Sequence, residues 1–172
     1  VFLARKITRA KWTPKAGLEA DEVPADAVTA DLRTTENTLS FWRCGEGAEG
    51  EVEEAALAIA AGGDRLDKLD VVWLSDEQLR SDGQTWKDTD GRTPVKSLVK
   101  QHVDLYRLDY VRLGRVADGV VDAIECRRHR RLTKKHITKL LAVAVEEGRV
   151  ALADLEEKVQ SEVVKILEGD GK

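Results

Sequence analysis

The sequence predicts an α+β protein, with a small mixed β-sheet and short helices over 1–93 and a helical bundle over 94–172 built on one long helix from about 95 to 125. Two observations separate the halves. Trp12, Trp42, Trp73 and Trp86 all precede Pro94, while the only aromatics after it are Tyr106 and Tyr110. Before Pro94 the apolar runs are short and broken by Gly, Pro and Asp; after it they recur at helical spacing for tens of residues. The halves are read as an α/β subdomain and a helical subdomain that share one compact unit.

In the first half, Thr38–Trp42 and Leu69–Leu74 are short and rich in β-branched and aromatic residues, the composition of strands. Between them Glu51–Ala61 consists of strong helix formers, places acids in its first turn against the macrodipole, and stops at Gly62-Gly63. Pro24 opens a short helix over Ala25–Leu32, and Ser75 caps another over Asp76–Leu79. Thr85–Lys87 and Arg92–Thr93 flank Asp88-Thr89-Asp90-Gly91, a turn composition that predicts a hairpin.

In the second half, Val99, Val103, Tyr106, Tyr110, Leu113, Ala117, Val120 and Ile124 follow at spacings of 4, 3, 4, 3, 4, 3 and 4, a heptad stripe. A helix carrying it would be about 45 Å long. Leu98, Leu105, Leu108 and Val116 widen its apolar face, and Gly114 and Gly119 suggest close packing or a bend. Thr133 caps a second helix with Ile137, Leu140, Leu141, Ala144 and Val145 inward, ended by Gly148. Leu152, Leu155, Val159, Val163 and Ile166 space a third, before a tail of Gly169–Lys172.

Composition narrows the function classes. With 172 residues and 42% hydrophobic content the chain buries roughly two-thirds of its unfolded surface, so it needs no disulfide or structural metal. Cys44 and Cys126 have no Cys or His neighbour at zinc spacing, and free thiols fit a reducing cytoplasm. No apolar run approaches the length of a membrane span, and no signal peptide is recognisable, so a cytoplasmic location is expected. Methionine is absent even at position 1, so the sequence is read as processed, trimmed or partial.

The sharpest local feature is Cys126–Lys139, where seven of fourteen residues are Lys or Arg and none is acidic. Arg127, Arg128, Arg130, Arg131, Lys134, Lys135 and Lys139 form the cluster that a phosphate backbone attracts through counterion release. A solvated connection paired with Asp118, Asp122, Glu146 or Glu147 has the same composition, and no aromatic residue is interleaved for base stacking. Arg131 and His136, separated by four residues, resemble the motif of HEPN-type ribonucleases. That resemblance covers six residues; it implies His136 as acid/base, Arg131 as phosphate stabiliser and an all-helical fold, from which the α/β first half departs. Ala144 and Gly148 resemble the turn of a helix-turn-helix DNA reader, but Glu147 and Arg149 fall where that turn keeps apolar residues, so a plain helical hairpin is predicted.

Other candidates reduce to structural roles. His102, Asp104 and Asp109 do not share a helix face at metal-ligand spacing; Asp104–Arg107 and Asp109–Arg112 are read instead as surface pairs. Gly45-Glu46-Gly47-Ala48-Glu49-Gly50 has the glycines of a phosphate loop without its Lys-Ser/Thr, and its glutamates repel phosphate. Cys126 beside Arg127 and Arg128 has the cationic setting that lowers a thiol pKa. No catalytic constellation, metal site or cofactor is expected.

The function expected from the sequence is that of a non-catalytic interaction or regulatory protein, acting through amphipathic helices on a protein partner or as an oligomer. Tyr106, Tyr110, Val159 and Val163 are its candidate contacts. Nucleic-acid binding through 127–139 is the second class, and a ribonuclease using Arg131 and His136 the third.

Overall fold

The computed structural model describes residues 1–14, 17–19 and 22–169. Six strands form one sheet in the order β4-β5-β2-β1-β3-β6: β1 (Phe2–Ile7), β2 (Leu39–Arg43), β3 (Leu69–Ser75), β4 (Trp86–Asp88), β5 (His102–Leu105) and β6 (His129–Leu132). Each neighbouring pair is antiparallel, so the sheet is not the mixed one expected. Six helices are interleaved with the strands: α1 (Ala25–Asp31), α2 (Glu49–Ala61), α3 (Asp76–Ser81), α4 (Tyr110–Glu125), α5 (Lys134–Glu146) and α6 (Glu157–Gly169).

Side-chain alternation along the strands divides the core between the two faces of the sheet. In β3, Leu69 and Val71 join Val52, Ala56, Ile137, Leu141, Val159 and Val163 beneath α2, α5 and α6. Val72 and Leu74 point the other way, to Ala27, Leu79, Val116 and Val120 of α1, α3 and α4. A strand buried on both faces reads as a continuous apolar run, which is why Leu69–Leu74 is so legible. β1 is less so, because Arg5 and Lys6 interrupt it. Arg5 is accommodated by donating from Nε and NH2 to the Asp31 carbonyl at 2.9 and 2.6 Å and from NH1 to the Ser40 carbonyl at 2.6 Å.

The long helix of 95–125 does not form, and the second half is not a helical bundle. Its stripe is divided among a 3-10 helix (Lys96–Gln101), β5, and α4. Val103 and Leu105 are buried with a period of two, which a 3–4 stripe mimics over so few residues. Arg107 then takes a left-handed φ of 58°, which stops any helix, and Asp109 restarts one by accepting the Arg112 N–H at 2.8 Å as N-cap. Only Leu113, Ala117, Val120 and Ile124 keep the helical face. Gly114 has open space around its Cα, so it marks no close contact.

Trp86–Asp88 is a strand, but its partner is β5 rather than Arg92–Thr93. The turn beyond it is drawn inward, with Gly91 lying so close to the Trp42 ring that a Cβ there would fall 2.3 Å from it. His129–Leu132, expected as a helix connection, is the edge strand β6. The later pattern is realised in part: Thr133 caps α5 by accepting the His136 N–H at 3.2 Å, Gly148 turns the chain with a φ of +70°, and α6 packs on α5. However, α6 begins only at Glu157, so Leu152 and Leu155 of the expected third helix lie before it, in and just after a 3-10 turn. Asp170–Lys172 of the expected tail lies outside the described residues.

Candidate functional site

The basic segment is spread over the end of α4, strand β6 and the first turns of α5, and alternation along β6 sends its arginines to opposite faces. Arg130 meets Glu49 at 2.6 Å and Glu53 at 2.9 Å, both on α2. Arg131 holds Asp70 of β3 with two hydrogen bonds, 2.7 and 3.1 Å. Lys134 pairs with Glu162 of α6 at 3.1 Å, and His136 Nε2 lies 2.9 Å from Glu53 Oε1. Arg128 lies over the Phe2 ring at 5.9 Å. Arg127, Lys135 and Lys139 are exposed and make no ion pair among the described residues. Much of the cluster therefore ties β6 and α5 to α2, β3 and α6.

This arrangement does not bring Arg131 and His136 together. They engage different acids, Asp70 and Glu53, and it is Arg130 that shares Glu53 with the histidine. The Gly45–Gly50 loop leads into α2, where Glu51 already accepts the Ala48 N–H at 3.0 Å and Glu49 holds Arg130. Carboxylates thus occupy the positions a phosphate would seek. Between α5 and α6 the chain runs through a 3-10 turn at Leu152–Asp154 before α6 begins at Glu157, longer than a helix-turn-helix turn.

His102 and Asp104 lie on one face of β5 and are joined through Thr89, whose Oγ1 is 2.7 Å from His102 Nδ1 and 3.0 Å from Asp104 Oδ2. Ser40 donates to the other Asp104 oxygen at 2.8 Å. Burial lowers the His102 pKa, and the Asp104 charge partly restores it. Asp109 is the α4 cap rather than a neighbour of this group. Neither expected surface pair forms: Asp109 binds the Arg112 backbone, and Asp104 is held by hydroxyls. Among the described residues no three His, Cys, Asp or Glu side chains gather as a metal site. Cys44 is buried and its thiol pKa is pushed up to about 12 by burial and by Glu51; Cys126 is exposed at the end of α4.

Of the expected contacts, Val159 and Val163 are fully buried in the core between α6 and the sheet. They form the apolar face that holds α6 down, so they present nothing to a partner. Tyr106 and Tyr110 are different. Tyr110 is 94% exposed and Val111 65%, adjacent residues at the start of α4. The loop before them is fixed from below, by the Leu108 N–H to the Asn37 carbonyl and the Tyr106 N–H to the Thr85 carbonyl, both 3.1 Å.

Four arginines come from the loop before α4, from α4 itself and from α3, which packs against it. Arg107 lies over the Tyr106 ring at 5.7 Å, and Arg112 NH1 donates to the Arg107 carbonyl at 2.9 Å. Arg115 NH1 donates to the Asp82 carbonyl at 2.7 Å, and Arg80 stacks on Trp86 at 4.2 Å. None of the four forms an ion pair among the described residues. Sequence reasoning missed these arginines because they are dispersed among aspartates; the usable signal was Asp109 followed three residues later by Arg112, a cap that places Tyr110 and Val111 at a helix start.

Comparison with protein-family models, with curated proteins and with solved structures finds no match. Among the described residues no helix is long and apolar enough to cross a membrane.

Proposed function

We propose that this chain is a non-catalytic binding module that docks a protein partner through the surface at the start of α4, centred on Tyr106, Tyr110 and Val111. One observation carries the proposal: an aromatic and an aliphatic side chain stand side by side in solvent at a helix start whose preceding loop is tied to the fold by two backbone hydrogen bonds. Tyrosine and arginine are among the residues that dominate binding energy at protein interfaces, and both stand at the start of α4. A solvent-facing tyrosine with an adjacent valine takes its apolar surface out of water only when something covers it.

Nucleic-acid binding through 127–139 is the second reading, supported by Arg127, Lys135 and Lys139, which are exposed and make no ion pair among the described residues. It ranks lower because Arg130, Arg131 and Lys134 already have carboxylate partners, and a phosphate would have to displace them.

The test is affinity capture from the native host after nuclease treatment, using the full chain, a Tyr110→Ser/Val111→Ser variant and a Lys135→Gln/Lys139→Gln variant. The expected result is a stoichiometric protein retained by the first and third and lost from the second. Recovery of nucleic acid alone, lost with the lysine variant, would favour the second reading and reject the first.

A further inference from the structure

The geometry points to the chemistry of the partner: an extended acidic segment of another protein, its carboxylates on Arg107, Arg112 and Arg115 and one apolar side chain against Tyr110 and Val111. This rests on the partner-binding reading and adds the class of ligand.

The first argument is charge complementarity. Four carboxylates near this surface are committed within the fold: Asp82 accepts from the Gln78 amide at 3.1 Å, Asp88 pairs with Arg43, Asp104 accepts from Ser40 and Thr89, and Asp109 caps α4. The guanidinium groups, in contrast, are held by backbone carbonyls or ring faces. A carbonyl takes one N–H of the fork and leaves its other donors and its whole charge for a ligand. Arginine presents its donors as a planar fork that matches a carboxylate. Val111 and Arg115 are four residues apart on α4, so the apolar and cationic contacts share a helix face.

The second argument is the sheet edge. β4 ends the sheet, paired among the described residues only with β5. The Tyr106 N–H to Thr85 carbonyl and Thr89 N–H to His102 carbonyl bonds set the register so that Trp86 and Asp88 turn their backbone N–H and C=O groups outward. A free strand edge beside side-chain contacts suits an extended peptide, which can add to it. It offers nothing comparable to a nucleic acid, for which the rings are also poorly prepared: Trp86 and Tyr106 each already have a guanidinium over the ring.

The experiment is fluorescence anisotropy on the purified full chain with three labelled probes: a short Glu/Asp peptide with one central Leu, its Gln/Asn counterpart, and an oligothymidylate. The acidic peptide is expected to bind, to weaken with added salt, and to lose at least about tenfold in affinity on Arg107→Gln/Arg115→Gln and again on Val111→Ser. Lys135→Gln/Lys139→Gln should leave it unchanged. Unaltered thermal midpoints in the variants exclude unfolding as the cause. The inference is overturned if the acidic peptide does not bind at millimolar concentration, if its neutral counterpart or the oligothymidylate binds better, or if the lysine variant abolishes binding. Because the capture experiment uses Tyr110 and Val111 without any assumption about charge, loss of capture there together with no acidic binding here would reject the ligand class alone.

Discussion

Arg131 and Asp70 face each other across β6 and β3, the guanidinium Nε 2.7 Å from one carboxylate oxygen and NH2 3.1 Å from the other. The two partners are unequal, since the Asp70 side chain is buried while that of Arg131 is half in solvent. Removing the arginine strands a buried carboxylate; removing both does not. Arg131→Gln should therefore lower the thermal midpoint, and Asp70→Asn added to it should recover part of the loss. Equal or additive losses in this double-mutant cycle would mean that the pair is not coupled.

Stability should fall with acid over a histidine window. Thr89 gives its hydroxyl proton to Asp104, so neutral His102 satisfies the group by donating from Nδ1, and burial holds its pKa below the ordinary value near 6.5. His129 is shifted in the same direction by burial and by Arg9. Below about pH 6.5 the unfolded chain therefore binds protons that the folded chain resists, so the unfolding free energy drops as pH falls and is level above it. Thermal melts between about pH 5 and 8 test this, and His102→Gln should flatten the slope.

The cap at Asp109 should have a measurable share in both stability and binding. Asp109→Ala leaves the Arg112 N–H without its partner at the start of a sixteen-residue helix and should cost about 1 kcal/mol in chemical denaturation. Asp109→Asn should restore most of it, because a cap needs the side-chain oxygen rather than the charge. An alanine variant as stable as the wild-type chain would show that the cap is not what restarts the helix after Arg107.

Gly91 is a steric requirement rather than a flexible joint. A Cβ at that position would fall 2.3 and 2.8 Å from carbons of the Trp42 ring and 2.9 Å from His102 Cβ. Gly91→Ala should destabilise by about 1–3 kcal/mol through overpacking, seen as a shift of the denaturation midpoint without a change of slope.

What the sequence disclosed follows from how local each signal is. Leu69–Leu74, Glu51–Ala61 and the Thr133 cap were legible because each is complete within a few residues: a doubly buried strand, a run of helix formers, a hydroxyl before a helix. β6 was not, because His129-Arg130-Arg131-Leu132 owes its strand state to β3 and to acids at positions 49, 53 and 70, far away in sequence. The long helix failed for the opposite reason, since its 3–4 spacing runs unbroken through Arg107, where only the backbone dihedral announces the turn. Of the candidate contacts, Tyr106 and Tyr110 remain at the surface because that turn throws them outward, while the arginines beside them come from α3, α4 and the loop between β5 and α4, and only the folded chain assembles them.

Val159 and Val163 separate a packing role from a binding role most cleanly. Both are fully buried on the side of α6 that meets α5 and the sheet, within the same cluster as Ile137 and Leu141. Val163→Ala deletes two methyl groups from a closed core and should cost about 1–3 kcal/mol, from lost transfer free energy and the residual cavity. Partner capture by the fraction that remains folded should be unchanged, because the surface at the start of α4 lies on the opposite face of the sheet. Tyr110→Ser should show the converse: being 94% exposed, the ring contributes little to folding, so the denaturation midpoint stays put while capture is lost. If Val163→Ala instead left stability intact and abolished capture, α6 would have to leave the core to bind, and the partner surface would lie there.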